Sequence, residues 1–356
     1  VTARTRVAVI GAGQAGLAAA FHLRRAGFEP GRDYMVLDRN PGPGGAWQHM
    51  WHSLRLFSPA EHSSLPGRRM PPSRDGFPTA GHVRDYLADY EQHYGLPVRH
   101  GVTVDAVRAA GRTGPLEVHT DRGMLLADTV LSATGSWDRP FRPHYPGMRD
   151  FRGRQLHARD YRDPAEFAGH SVVVVGGGNS AAQILAEVST VARTTWVTRR
   201  PPRFMPDDVD GRVLFQVATR RIAARAAGTA DSAGPLGDIV MVPSVLDARD
   251  RGALVAHPPL LRIVPDGVVG ADGGVVVADT IIWCTGFRPA LHHLAPLRPA
   301  RDGDHPAVDG TRLVSDPRLH LLGHGDWTGP ASATLIGVGR TARDAVARLV
   351  AAPTSA

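Results

Sequence analysis

Residues 6–18 read RVAVIGAGQAGLA and residues 171–183 read SVVVVGGGNSAAQ. Each is an apolar run that ends in a glycine-rich turn and passes directly into residues with helical spacing. That grammar is restrictive. The first glycine allows the tight turn, the second lets backbone approach a pyrophosphate, and the third lets the helix pack close to the strand. The N-terminus of the helix then offers free N–H groups and a dipole that favours an anion.

In the first unit these roles fall to Gly11, Gly13 and Gly16, with Gln14 and Ala15 opening the helix. The next strand, YMVLD, ends on Asp38, followed by Arg39. A carboxylate at that place accepts from a ribose hydroxyl, so the unit reads as a site for an adenine dinucleotide with a free ribose. In the second unit Gly176 and Gly178 fill the first two roles and Ala181 the third. Asn179, Ser180 and Gln183 lie on the opening turns of the helix. Its second strand ends not on an acid but on Arg199 and Arg200. Paired guanidinium groups suit a 2′-phosphate, which an acid would repel. The expectation is FAD on the first unit and NADPH on the second.

Two related stretches support an insertion. ADTVLSATGSW (127–137) and ADTIIWCTGFRP (278–289) each read as a strand returning to a nucleotide domain. Ala133, Thr134 and Gly135 are FAD candidates on the first. Near the C-terminus, a Gly-Asp pair and a helix start add Asp326, Thr334 and Leu335 as candidates near the flavin. The expected fold is α/β, with two Rossmann-like dinucleotide-binding domains. The FAD domain is discontinuous (1–158 and 288–356) and the NADPH domain (159–287) is inserted into it.

Composition narrows the chemistry. Cys284 is the only cysteine, which excludes a disulfide framework, a CxxC pair and a cysteine zinc site. All 41 cationic residues are arginine, so no lysine Schiff base and no lysine-bearing P-loop can form. The net charge of +7 is scattered, and its denser pairs (Arg68–Arg69, Arg199–Arg200, Arg220–Arg221) are short, so nucleic acid is not an expected partner. The 17 histidines show no HExxH spacing, so no metal is expected. No apolar run approaches membrane-spanning length, and no charged-then-apolar leader precedes the first strand. A cytoplasmic chain, with a homodimer as the candidate assembly, is the expectation.

The motifs together resemble class B flavin-dependent monooxygenases of the flavin-containing monooxygenase type, over nearly the whole chain. The resemblance rests on GAGQAG, on GGAW at 44–47, on GGGNSA, and on FRGRQLHARDY at 151–161. The last looks like the family signature FxGxxxHxxxY. Its terminal Tyr is similar to the heteroatom oxygenases, whereas the Baeyer–Villiger branch typically ends in Trp. SLRLFSPAEHSSLPG and GDWTGPASATLIGVGRTA are similar to the ArsO-type branch.

The resemblance implies further FAD-binding positions at Gly45, Ala46, Trp47, Ser58 and Val104, and puts Phe57, His157 and Tyr161 at catalytic positions. Trp47, Trp51 and Phe57 are expected to wall the flavin from water. It also implies a chemistry: NADPH reduces FAD, O2 forms a C4a-hydroperoxyflavin, and a soft heteroatom (S, N, Se or As) of a small substrate takes one oxygen. One departure stands out. Family members often carry an Asn shortly after GGxW, and here that place holds Phe57, with Asn40 and Asn179 the only asparagines. The alternatives are an NADPH oxidase that releases H2O2 and a Baeyer–Villiger-type enzyme.

Overall fold

The computed structural model describes residues 3–74, 76–207, 213, 220 and 239–351. Arg221 and most of 208–238, within the expected NADPH domain, lie outside them.

The chain opens with β1 (Ala3–Ile10), α1 (Gln14–Arg25) and β2 (Tyr34–Asp38), then α2 (Ala80–His93), β3 (Val98–His100), β4 (Val104–Ala109), β5 (Leu116–Thr120) and β6 (Gly123–Ser132). β1 lies parallel between β2 and β6, and β3 extends the sheet beyond β2. Every residue of β2 is buried, as a strand covered on both faces requires. The two faces alternate in sequence. Val7 and Val9 pack with Leu17, Phe21 and Leu23 of α1, while Ala8 and Ile10 face a second cluster with Met35, Leu37 and Val130.

A second sheet follows: β7 (Arg154–His157), β8 (Ser171–Val175), α3 (Asn179–Val188), β9 (Arg193–Val197), α4 (Pro243–Asp250) and β10 (Ala256–His257). A small antiparallel sheet, β11 (Arg262–Val264), β12 (Gly267–Val269) and β13 (Val275–Val277), leads into β14 (Thr280–Trp283). The order of the second sheet is β10-β9-β8-β14-β7, and all its pairs are parallel. By strand pairing, residues 154–157 thus sit in the second sheet, whereas the sequence reading placed everything through 158 in the first domain. The reason is geometric: β14 has a free edge beyond β8, and β7 fills it in register, Thr280 opposite Arg154 through Trp283 opposite His157.

The chain then returns to the first sheet. After the paired β15 (Arg301–Asp302) and β16 (His305–Pro306) come β17 (Val308–Asp309), β18 (Arg312–Leu313) and β19 (Leu319–Leu321). β19 lies parallel beside β6, and α5 (Leu335–Ala351) covers the face that α1 occupies. The two passages between the sheets run side by side. Pro140 and Phe287 form an antiparallel bridge, Phe141 N–H donates to the Gly286 carbonyl at 2.9 Å, and Arg288 N–H to that of Arg139 at 2.8 Å.

Candidate functional site

The two glycine turns are built alike. Gly11 has φ +101° and Gly176 has φ +145°, and a Cβ on either would collide with backbone. At Gly11 it would lie 2.5 Å from the Ala133 oxygen, and at Gly176 2.2 Å from the Cys284 oxygen. So the residue after β6, and its counterpart after β14, presses its carbonyl onto the turn. Gly11 N–H donates to Leu37 and Gly176 N–H to Val197, which fixes each turn to the neighbouring strand. Gly16 has a packing role: its Cβ would sit 1.8 Å from the Gly11 oxygen. Gly13 and Gly178 differ from all of these. Each is the N-cap of its helix without a side-chain cap, and a Cβ there would meet nothing within 4 Å. α2, by contrast, is capped by Thr79. Open space at Gly13 and Gly178, uncapped N–H groups and no acid in the first turn of α1 or α3 suit the phosphates of a dinucleotide.

A cavity of about 410 Å³ lies against the first turn. It gathers Gly11, Gly13, Gln14 and Ala15 with Asp38, Arg39, Gly45, Ala46 and Trp47, and adds Val104, Ala133, Thr134 and Gly135. Gln14 connects three segments: its amide donates to the Ala333 carbonyl at 2.6 Å and accepts from the Trp47 indole at 3.3 Å. Asp38 is buried and spans the turn, accepting from Ala12 N–H at 2.6 Å and Asn40 N–H at 2.7 Å. Arg39 is ion-paired with Asp138.

Five FAD candidates of the sequence are not in the cavity wall: Gly16, which packs against Gly11, and four others. Ser58 bonds Ser63 within its own loop, and Asp326 is exposed and accepts from Ala331 N–H. Thr334 caps α5 by accepting from Gly337 N–H, and Leu335 is packed in the core. Local turns and a cap use the three polar groups, and core packing uses Leu335.

The sequence reading missed other wall residues: Asn40, His49, Trp137, Phe287, His292 and His293 among them. The stacked rings of His49, Trp137 and Phe287 form one side of it, with Trp137 and Phe287 centroids 5.4 Å apart. His49 also meets the Asn40 oxygen at 2.8 Å. Asn40 directly follows Asp38–Arg39, a position that could have signalled it. His49 follows GGAW by two residues, and Trp137, Phe287, His292 and His293 come from the inter-sheet passages, whose placement no local pattern reveals.

The three catalytic candidates are placed differently from expectation. His157 is fully buried, with one ring nitrogen 3.0 Å from the Gly286 carbonyl and the other accepting from Arg159 N–H at 3.1 Å. Burial lowers its pKa. A neutral imidazole with both nitrogens committed has none to offer a substrate. Tyr161 is also fully buried; its hydroxyl donates to Glu187 at 2.8 Å, and burial raises its pKa. Phe57 and Trp51 pack into the core beneath the second sheet, so of the three expected wall residues only Trp47 faces the cavity.

On the second unit, Gly178 is open and Ser180 is exposed at the start of α3. Asn179 accepts from Val240 N–H at 2.8 Å, and Gln183 is buried with its amide 3.5 Å from the Arg55 carbonyl. Those two side chains are turned to the protein. Arg199 and Arg200 are both exposed, just beyond β9.

Two dinucleotide turns, one beside a cavity and one beside a pair of exposed arginines, define a flavoprotein reduced by a pyridine nucleotide. Comparison with known proteins agrees. The family model for pyridine nucleotide-disulphide oxidoreductases matches residues 8–222. A flavin-containing monooxygenase from Stenotrophomonas maltophilia has 49% identity and a TM-score of 0.88, covering 98% of this chain and 99% of its own. A two-residue mutant of a flavin monooxygenase from the same organism gives 50% and 0.89 over the same shares. Indole-3-pyruvate monooxygenase YUCCA1 of Oryza sativa subsp. japonica is 30% identical over 79% of this chain and 76% of its own. The chain belongs to the pyridine nucleotide-disulphide oxidoreductase family and, within it, to the flavin-containing monooxygenases. It is an FAD-dependent NADPH monooxygenase. Its single cysteine leaves no dithiol for disulfide chemistry.

Proposed function

We propose that this monooxygenase transfers one oxygen of O2 to a soft heteroatom (sulfur, nitrogen, selenium or trivalent arsenic) of a small molecule. The observation that carries the reading is Tyr161, the aromatic at the end of the signature, held by Glu187 where the Baeyer–Villiger branch typically has Trp.

When bound, FAD supplies the two-electron and O2 chemistry and NADPH the hydride. The chain supplies position and dryness. The open face of Gly13 and the uncapped start of α1 receive the pyrophosphate of FAD, and Asp38 keeps lone pairs for a ribose. The rings of His49, Trp137 and Phe287 exclude water from one side of the cavity. Gly178 and the start of α3 receive NADPH, whose 2′-phosphate meets Arg199 and Arg200.

The test is turnover of thioethers, tertiary amines and a cyclic ketone under 18O2. Labelled sulfoxide or N-oxide is the expected product; lactone formed in preference to either would overturn the reading. A second reading, NADPH oxidase, is favoured by Phe57, whose apolar ring puts no hydrogen-bond donor where relatives often have Asn. H2O2 equal to NADPH consumed, with every heteroatom donor tried, would establish it.

A further inference from the structure

Glu187 sits where three motifs meet. It lies on α3, the helix that begins at the second glycine turn. Its carboxyl accepts at 2.8 Å from Tyr161, the last residue of the signature. The third contributor is the segment after GGAW. Burial raises the Glu187 pKa, and Ser53, Tyr161 and the Trp51 indole oppose that only in part. Trp51 is buried among the second sheet's core residues, edge-on to Tyr161 with centroids 5.8 Å apart, and its indole nitrogen completes no hydrogen bond of its own.

Gln183 is one helical turn before Glu187, on the same face of α3. Its amide points at the Arg55 carbonyl of that same segment, 3.5 Å away. So one face of α3 meets residues 51–55 directly at Gln183 and, through the Tyr161 ring held by Glu187, at Trp51. That segment starts just past the cavity wall, since Gly45, Ala46, Trp47, His49 and Met50 all line the cavity. Glu187 is half-buried, and a carboxylate drawn out of water is costly unless donors hold it.

We infer that Glu187 is a positioning residue for hydride delivery: through Tyr161 and the 51–55 segment it fixes the helix that carries the NADPH turn against the loop that walls the flavin cavity. Neither Glu187 nor Tyr161 touches the reacting atoms. The inference rests on NADPH binding at Gly178, and its test separates the two.

The experiment uses holoenzyme variants Glu187→Gln, Glu187→Ala, Tyr161→Phe and the Glu187→Ala, Tyr161→Phe pair, with Gly178→Val alongside. NADPH affinity is measured by calorimetry, and flavin reduction by anaerobic stopped flow at saturating NADPH. A misplacement near 1 Å can cost roughly 100-fold in rate. Glu187→Ala and Tyr161→Phe should each slow the limiting reduction roughly 10- to 100-fold and keep NADPH affinity within about twofold. The pair should be no slower than the worse single change, as residues acting as a unit behave. Glu187→Gln, which keeps an acceptor oxygen, should recover much of the rate. Should Glu187→Ala fail to fold, Tyr161→Phe and Glu187→Gln carry the same comparison.

Parental reduction rates in Glu187→Ala and Tyr161→Phe, with Gly178→Val losing NADPH, would overturn the positioning role and leave the NADPH site standing. Multiplying effects in the pair would also overturn it. Undiminished NADPH binding in Gly178→Val would remove the site itself, and the inference with it.

Discussion

One ring nitrogen of His157 lies 3.0 Å from the carbonyl oxygen of Gly286, and so the end of the signature strand is latched to the start of the returning passage. The other nitrogen accepts from Arg159 N–H. His157→Ala would leave the Arg159 N–H without its partner, at about 1–3 kcal/mol, and would open a cavity at a fully buried site, while the Gly286 carbonyl keeps its bond from Phe141 N–H. The expected outcome is a fall of several degrees in Tm, with the shape of the kcat pH profile unchanged. A lost limb of that profile, at undiminished Tm, would restore a proton-carrying role.

Gly13→Val separates folding from cofactor binding. The added side chain meets no protein atom at its Cβ, so the apoprotein should keep its secondary structure and cooperative melting. It would stand in the path of the pyrophosphate, so the purified protein should be largely colourless. Gly16→Val is the contrast: with its Cβ 1.8 Å from the Gly11 oxygen, it should fail to fold. FAD content and circular dichroism check both.

Arg199→Ala with Arg200→Ala should weaken NADPH and spare NADH. A hydrogen bond to a charged group contributes about 1.5–3 kcal/mol, so each arginine lost should cost roughly 10- to 150-fold in NADPH affinity. Equal loss for both nucleotides in titrations would place the 2′-phosphate elsewhere.

Three buried histidines set the acid limit of the fold. Burial lowers His293 to about 3, and His320 and His324 to about 4. All stay neutral in the folded state while an unfolded histidine protonates near its ordinary value of about 6.5. Their stability contribution is therefore complete above pH 6.5. It falls as pH drops, by about 1.4 kcal/mol per histidine per unit, until the folded values are reached. Three groups acting together approach a slope of about 4 kcal/mol per unit near pH 5, and the lowered values of His22, His49 and His157 add to it. Denaturant unfolding between pH 6.5 and 5 should show it, and His324→Gln should reduce it by about 1.4 kcal/mol per unit. An unchanged slope would mean His324 is protonated in the fold.

What the sequence disclosed was local. Gly11, by its positive φ, and Gly16, by its contact with the Gly11 oxygen, are demanded by backbone geometry within a few residues, and Asp38 and Arg199–Arg200 mark strand ends by position alone. What it concealed depends on distant packing. Trp137 and Phe287 are 150 residues apart in sequence, and they stack only because the two passages lie together. Tyr161 carries the family pattern openly, yet its partner Glu187 lies on another element, and no spacing rule links them. Asp326 and Thr334 are polar residues in the expected place, but a turn and a helix cap claimed them first.

The bridge between Pro140 and Phe287 has a mechanical meaning. Two chains crossing at separate points would act as independent tethers and leave the joined parts free to swivel. Laid side by side and hydrogen-bonded, they behave as a flat strap, which bends across its width and resists torsion. His157, clamped to Gly286 at the edge of that strap, fixes where the bend begins. Any rotation of one sheet against the other would thus meet more resistance as a twist of the strap than as a bend of it.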